Sequence, residues 1–218
     1  MEKYINKVNA IQELFKKSEQ EQAEKKLQEL KEEIMYDVAL KNYNSNYQKD
    51  CLKYAKLLLK SAKEDKSRPL LHTMYKLDDT YQITDGFIAI VLKEPVAGIE
   101  ISIGDEQYFD CRNVINRKGK NYYEYDYNYS KVDMDLFELE QLALKSKKYK
   151  NPPYPTELLS YKYNTYYHPL RLLTAIKILG TKDVKVYFNT SNEKDPIYLK
   201  SNSGEAVVLP IIVNQELK

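Results

Sequence analysis

Five lysines, Lys49, Lys53, Lys56, Lys60 and Lys63, recur at alternating spacings of four and three. At ~100° per residue they all fall within ~40° of one line along a helix. Cys51, Leu52, Tyr54, Ala55, Leu58, Leu59 and Ala62 occupy the other side, and no acid interrupts the row. A line of ammonium groups suits a regularly spaced polyanion, because each lysine that neutralises a phosphate releases a condensed counterion. The same row also reads as the solvated face of an ordinary amphipathic helix. With 34 basic against 32 acidic residues, nucleic-acid contact has to come from local clustering, and a strongly basic non-specific binder is excluded.

Little else in the chain has the spacing of catalytic machinery. His72 falls in a predicted strand and His168 at a predicted helix start, neither at ligand spacing from a cysteine or acid, so both read as structural or capping residues. Cys51 and Cys111 make no metal-binding pair, and Cys51 lies on the apolar side of the lysine helix, where a free thiol behaves as a small hydrophobe. Asp78, Asp79 and Asp85 could suggest a metal-dependent nuclease, but they sit at predicted turns, where aspartate serves the local backbone. Neither a Gly-rich phosphate loop nor a Gly-x-Ser-x-Gly elbow is present. The ladder Tyr122, Tyr123, Tyr125, Tyr127 and Tyr129, beside Arg117 and Lys118, could stack on unpaired bases or pack on protein. The expectation is a protein that is not an enzyme and takes no cofactor or metal.

These residues need elements to hold them. Residues 1 to about 40 read as helix, with Tyr4, Ile5, Val8, Ile11, Phe15, Ala23, Leu27, Leu30 and Ile34 at three- and four-residue steps. The polar stretch 18–26 leaves open one long helix or a helical hairpin. Beyond the lysine helix, predicted strands cover 70–77, 80–84, 87–92 and 99–103. A middle region holds a basic loop at 112–120, an alternating strand at 122–129 and a short helix at 133–150. A strand at 158–164, a helix at 168–179 with Pro169 near its start and Gly180 beyond its end, and strands at 183–189, 196–200 and 205–213 complete the chain. The fold class is therefore α+β. An N-terminal helical arm, 1–41, precedes a domain, 42–218, with an insertion at about 107–157. The domain reads as two β-α-β-β-β half-units that place two helices on one sheet face.

Tyrosine occurs 21 times and tryptophan never, a composition of low-GC coding. The opening residues lack the apolar run of a secretion signal and no stretch approaches ~18 apolar residues, so a cytoplasmic location without membrane contact is expected.

Residues 54–92 resemble the opening half of a DNA sliding-clamp domain, as in the polymerase III β subunit and other processivity clamps. The features that match are a helix leading to Arg68-Pro69-Leu70-Leu71, a hairpin, and Thr84-Asp85 before the next strand. The closing half is similar in order too, through 169–188, 195–201 and a final strand, 206–213, ending in hydrophobic-Pro-hydrophobic. The resemblance covers about 130 residues and leaves the arm and the insert aside. It implies helices presenting Lys and Arg to the duplex backbone without reading bases, with Lys49, Lys53, Lys56, Lys60 and Lys63 on the DNA side. Arg171, Lys177 and Lys182 would be the second helix's contribution. It also implies a peptide-docking pocket lined in part by Leu209, Pro210 and Ile211. Known clamps close a ring from six such domains, and this chain supplies one, so encirclement would need a homo-oligomer. Two functions stay open. One is a DNA-replication protein binding duplex DNA, replication proteins or both; the other is a phage or mobile-element interaction module, an adaptor, decoy or inhibitor, that reuses the fold without touching DNA.

Overall fold

The computed structural model describes residues 2–17, 19–43, 45–105, 107–115, 122–125, 139–141, 144, 167–180, 184–189 and 196–210. The predicted strand at 158–164, Arg117, Lys118, Tyr127, Tyr129, Lys182 and Ile211 lie outside them. So do most of the predicted helix at 133–150 and the end of the last predicted strand.

Three helices open the chain: α1 (Glu2–Lys16), α2 (Gln20–Asn42) and α3 (Asn46–Glu64). The arm is a hairpin. Ile11, Ala23 and Leu30 are buried between α1 and α2, with Tyr4 and Leu14 packed on them. Ion pairs of Lys3 and Lys7 with Glu33 fix the antiparallel register. α2 is also part of the main body, since Ala39 belongs to the central core and Tyr36 and Leu40 pack against it. Gly98 permits that approach. It holds φ +86°, and a Cβ there would sit 2.6 Å from the Ala39 Cβ.

After α3, a single 3-10 turn (Pro69–His72) leads into β1 (Met74–Leu77), β2 (Thr80–Thr84), β3 (Ile88–Leu92) and β4 (Ile101–Ile103). The strand expected over 70–77 therefore starts only at Met74. Pro69, without an amide hydrogen and with its φ fixed, suits the first turn of a helix better than a ladder. A helical turn, α4 (Arg112–Ile115), opens the stretch expected as a basic loop, and β5 (Tyr122–Tyr125) follows. Last come α5 (Pro169–Leu179), β6 (Lys185–Asn189), β7 (Ile197–Lys200) and β8 (Gly204–Val208).

The eight strands form one sheet in the order β4-β1-β2-β3-β8-β7-β6-β5. Two antiparallel meanders, β1-β2-β3 and β6-β7-β8, each follow a helix and join through the antiparallel β3/β8 pair. The half-units are unequal. The first has helix where a leading strand was expected, and its outer strand is β4, which arrives late and pairs parallel with β1.

Period-two alternation decides what each face buries. Ile88, Ile90 and Leu92, with Ala206, Val208, Ile197, Leu199 and Met74, point to the helix side, where α3 and α5 lie next to each other in the main core. Tyr75, Ala89, Tyr198 and Val207 point to the opposite side and are covered by the segment around Cys111 and Ile115. That cover is pinned by hydrogen bonds. Buried Gln82 accepts from the Cys111 amide at 2.7 Å and donates to Asp110 at 3.2 Å, while the Tyr75 hydroxyl donates to the Phe109 carbonyl at 2.5 Å.

Candidate nucleic-acid and partner interface

The frame of α3 is set locally. Ser45 caps its start, accepting from the Gln48 amide at 3.2 Å, and six residues from Leu52 to Ala62 bury its apolar side. All five lysines of the row are exposed. Their surroundings differ, because α2 runs along one flank of the row. Lys63 pairs with Glu32 at 2.8 Å, and the Lys56 ammonium lies 4.0 Å from the centroid of the Tyr36 ring. Lys49, Lys53 and Lys60 form no ion pair with a carboxylate among the described residues, although Lys60 lines a groove with Glu29 and Glu32 of α2. The row is thus divided into a set of three and a set of two that the chain's own arm engages.

The second helix contributes much less than expected. Lys177 is buried, with Asp50 at 3.2 Å and Glu140 at 2.7 Å. Burial lowers its pKa, but the hydrogen bonds and charges of Glu140 and Asp50 outweigh this and the net shift is upward. Its charge is spent inside the protein, so it does not extend the basic face. Arg171 is half-buried, with its guanidinium carbon 3.7 Å from the centroid of the Phe87 ring. Burial lowers its pKa, and the nearby Asp85 acts in the opposite sense.

His72, His168, Asp78 and Asp85 have structural partners, and Asp79 is exposed in the turn between β1 and β2. His168 caps α5, its Nδ1 accepting from the Leu170 amide at 3.2 Å, and burial followed by the Arg171 charge lowers its pKa. The His72 ring nitrogen lies 3.0 Å from the Asp65 carbonyl oxygen. Asp85 accepts from the Phe87 and Ile88 amides, each at 2.9 Å, and Asp78 pairs with Arg112 at 2.8 Å. Among the described residues no group of three or more His, Cys, Asp or Glu side chains could hold a metal ion. Burial pushes Cys51 and Cys111 up to about 12, so both remain thiols at neutral pH.

One site was not foreseen in this form. A groove of about 460 Å³ opens across the ends of β2, β3 and β8, lined chiefly by Pro69, Leu70, Phe87, Phe109, Val207 and Leu209. Leu70, Phe87 and Phe109 are exposed, which is unusual for large apolar residues gathered in one depression. The groove is built from both meanders. The Leu209 amide donates to the Phe87 carbonyl at 2.9 Å, and Asp85 holds the turn that presents Phe87. Of the expected pocket residues, Leu209 lines the groove, Pro210 is half-buried next to it, and Ile211 lies outside the described residues. The sequence signal was an apolar residue, Phe87, directly after an Asp-Gly turn.

Among the described residues no helix is long and apolar enough to cross a membrane. Comparison with protein-family models, curated proteins and solved structures finds no match to this chain.

Proposed function

We propose that this protein is a non-enzymatic, sliding-clamp-like module of DNA replication. It holds the duplex backbone through α3 and takes an apolar segment of a replication protein in the groove at Leu209. The observation that carries the reading is the set Lys49, Lys53 and Lys60, three exposed ammonium groups at four- and seven-residue steps along one helix, paired with no carboxylate among the described residues. At ~1.5 Å rise per residue they span ~16 Å, several phosphate spacings of a duplex strand. The paired meanders with two adjacent helices on one face are the arrangement that the clamp resemblance implies. Backbone contacts carry no sequence information. Two unrelated duplexes of equal length should therefore bind with equal affinity in a fluorescence-anisotropy titration, and failure of both to bind would overturn the DNA half of the reading.

The interaction-module reading has its own support in Glu32 and Tyr36, which hold two of the five lysines. If that contact competes with phosphate, Glu32→Gln frees Lys63 and raises duplex affinity by about two- to fivefold, the size of an exposed ion pair. An unchanged or lower affinity would mean that Lys63 takes no part. If DNA is ignored by parent and variant alike while apolar peptides still bind at Phe87 and Leu209, the protein is an adaptor or decoy on the same fold.

A further inference from the structure

The hairpin of α1 and α2 uses two of its faces within the chain: one between the two helices, and one where α2 docks on the body through Tyr36, Ala39 and Leu40. Its third face is apolar and open. Ile5, Val8 and Phe15 of α1 and Leu27, Ile34 and Val38 of α2 are each 39–52% exposed. They make up six of the thirteen large apolar residues exposed among the described residues, so this is where the protein concentrates apolar surface.

Helix geometry gathers the six into one patch. At ~100° per residue, Phe15, Val8 and Ile5 lie ~40–120° round α1 from the buried Ile11. Ile34, Leu27 and Val38 lie ~40–80° round α2 from the buried Leu30, in the same rotational sense. Because the helices are antiparallel, equal rotation brings both stripes to the same side of the hairpin. The levels also agree. Tyr4 bonds to Asp37 and Lys7 pairs with Glu33, which sets Ile5, Val8 and Phe15 within about two residues, ~3 Å, of the heights of Val38, Ile34 and Leu27.

We infer that this face is the contact between two copies of the chain, which pair through their hairpins as an antiparallel four-helix bundle. The twofold axis runs parallel to the hairpin, so α1 of one copy lies on α2 of the other. Ile5 then meets Val38, Val8 meets Ile34 and Phe15 meets Leu27, each pair across the copies. Charge selects this crossed arrangement over like on like. α1 carries three lysines against two glutamates, whereas α2 carries six acids against four lysines, so α2 on α2 would oppose two acidic helices. Area sets the strength. A hairpin ~22 Å long and ~20 Å wide offers a face of roughly 450 Å² in projection, the scale of a small, reversible dimer.

The test uses the full chain without nucleic acid, so its outcome is independent of the DNA reading. Light scattering over a concentration series should give a mass rising from 25.7 kDa towards twice that value. Val8→Glu with Ile34→Glu, both at exposed positions, should keep the circular dichroism of the parent and weaken association at least ~30-fold. A mixture of a Val8→Cys chain with a differently tagged Ile34→Cys chain should form a disulfide between the two on mild oxidation, faster than either chain alone. A single-chain mass up to ~1 mM, a dimer indifferent to the two glutamates, or faster linking of Val8→Cys to itself would each overturn the proposal. Binding of the hairpin face to lipid vesicles in place of a second copy would do so as well.

Discussion

Gly204→Ala should cost a large share of the protein's stability, on the order of 3–5 kcal/mol, where a domain of this size holds only ~5–15 kcal/mol in total. Gly204 opens β8 opposite Leu92, at the seam where the two meanders join. A Cβ placed there would collide with the Val91 carbonyl oxygen, and it would sit 3.0 Å from the Leu92 Cα. Both obstacles are backbone of a central strand, which cannot rotate aside as a side chain would. Relief requires β3 and β8 to part, and that uncovers Ile90, Ala206 and Leu92 in the main core. Urea unfolding followed by circular dichroism measures the effect. A loss below ~1 kcal/mol would mean that the seam tolerates separation at this point and is not the joint holding the halves together.

Replacing Lys49, Lys53 and Lys60 together by glutamate should weaken duplex binding by at least ~100-fold at low salt. Three phosphate contacts would be lost and three repulsive charges put in their place. All three side chains are exposed and none takes part in the core of α3, so the unfolding midpoint should move little. Lys177 provides the contrast. Its ammonium is occupied by Asp50 and Glu140, so removing it should change stability without contributing a DNA contact of its own.

The parts of this structure legible in sequence are those governed by local rules. Alternation along residues 80–84, 87–92 and 196–200 locates strands within a residue or two, because a sheet buried on both faces still separates odd from even positions. Pro169 and Gly180 bracket α5, and the heptad-like lysine spacing gives α3 its exposed line. What escaped is set by distant partners. A helical wheel puts Lys177 on α5 but carries no trace of Asp50 or Glu140, which turn a candidate DNA contact into a buried ion pair. The division of the lysine row depends on where α2 lies, and that depends on Gly98, which is far from the row in sequence. β4 joins β1 in parallel across an intervening hairpin, a pairing that no short-range pattern encodes. The groove draws residues from 67–71, 84–89, 107–114 and 207–209, and only the closing of the sheet brings them together.

The salt dependence of binding tests α3 as a surface for the duplex backbone most directly. For the full chain, the logarithm of the association constant plotted against the logarithm of salt concentration should fall with a slope of about −2.7, the value for three neutralised phosphates. The variant with Lys49, Lys53 and Lys60 reversed should show no measurable binding from which to draw such a slope. Binding of the parent that ignores salt, or a slope that survives reversal of the three lysines, would contradict the account.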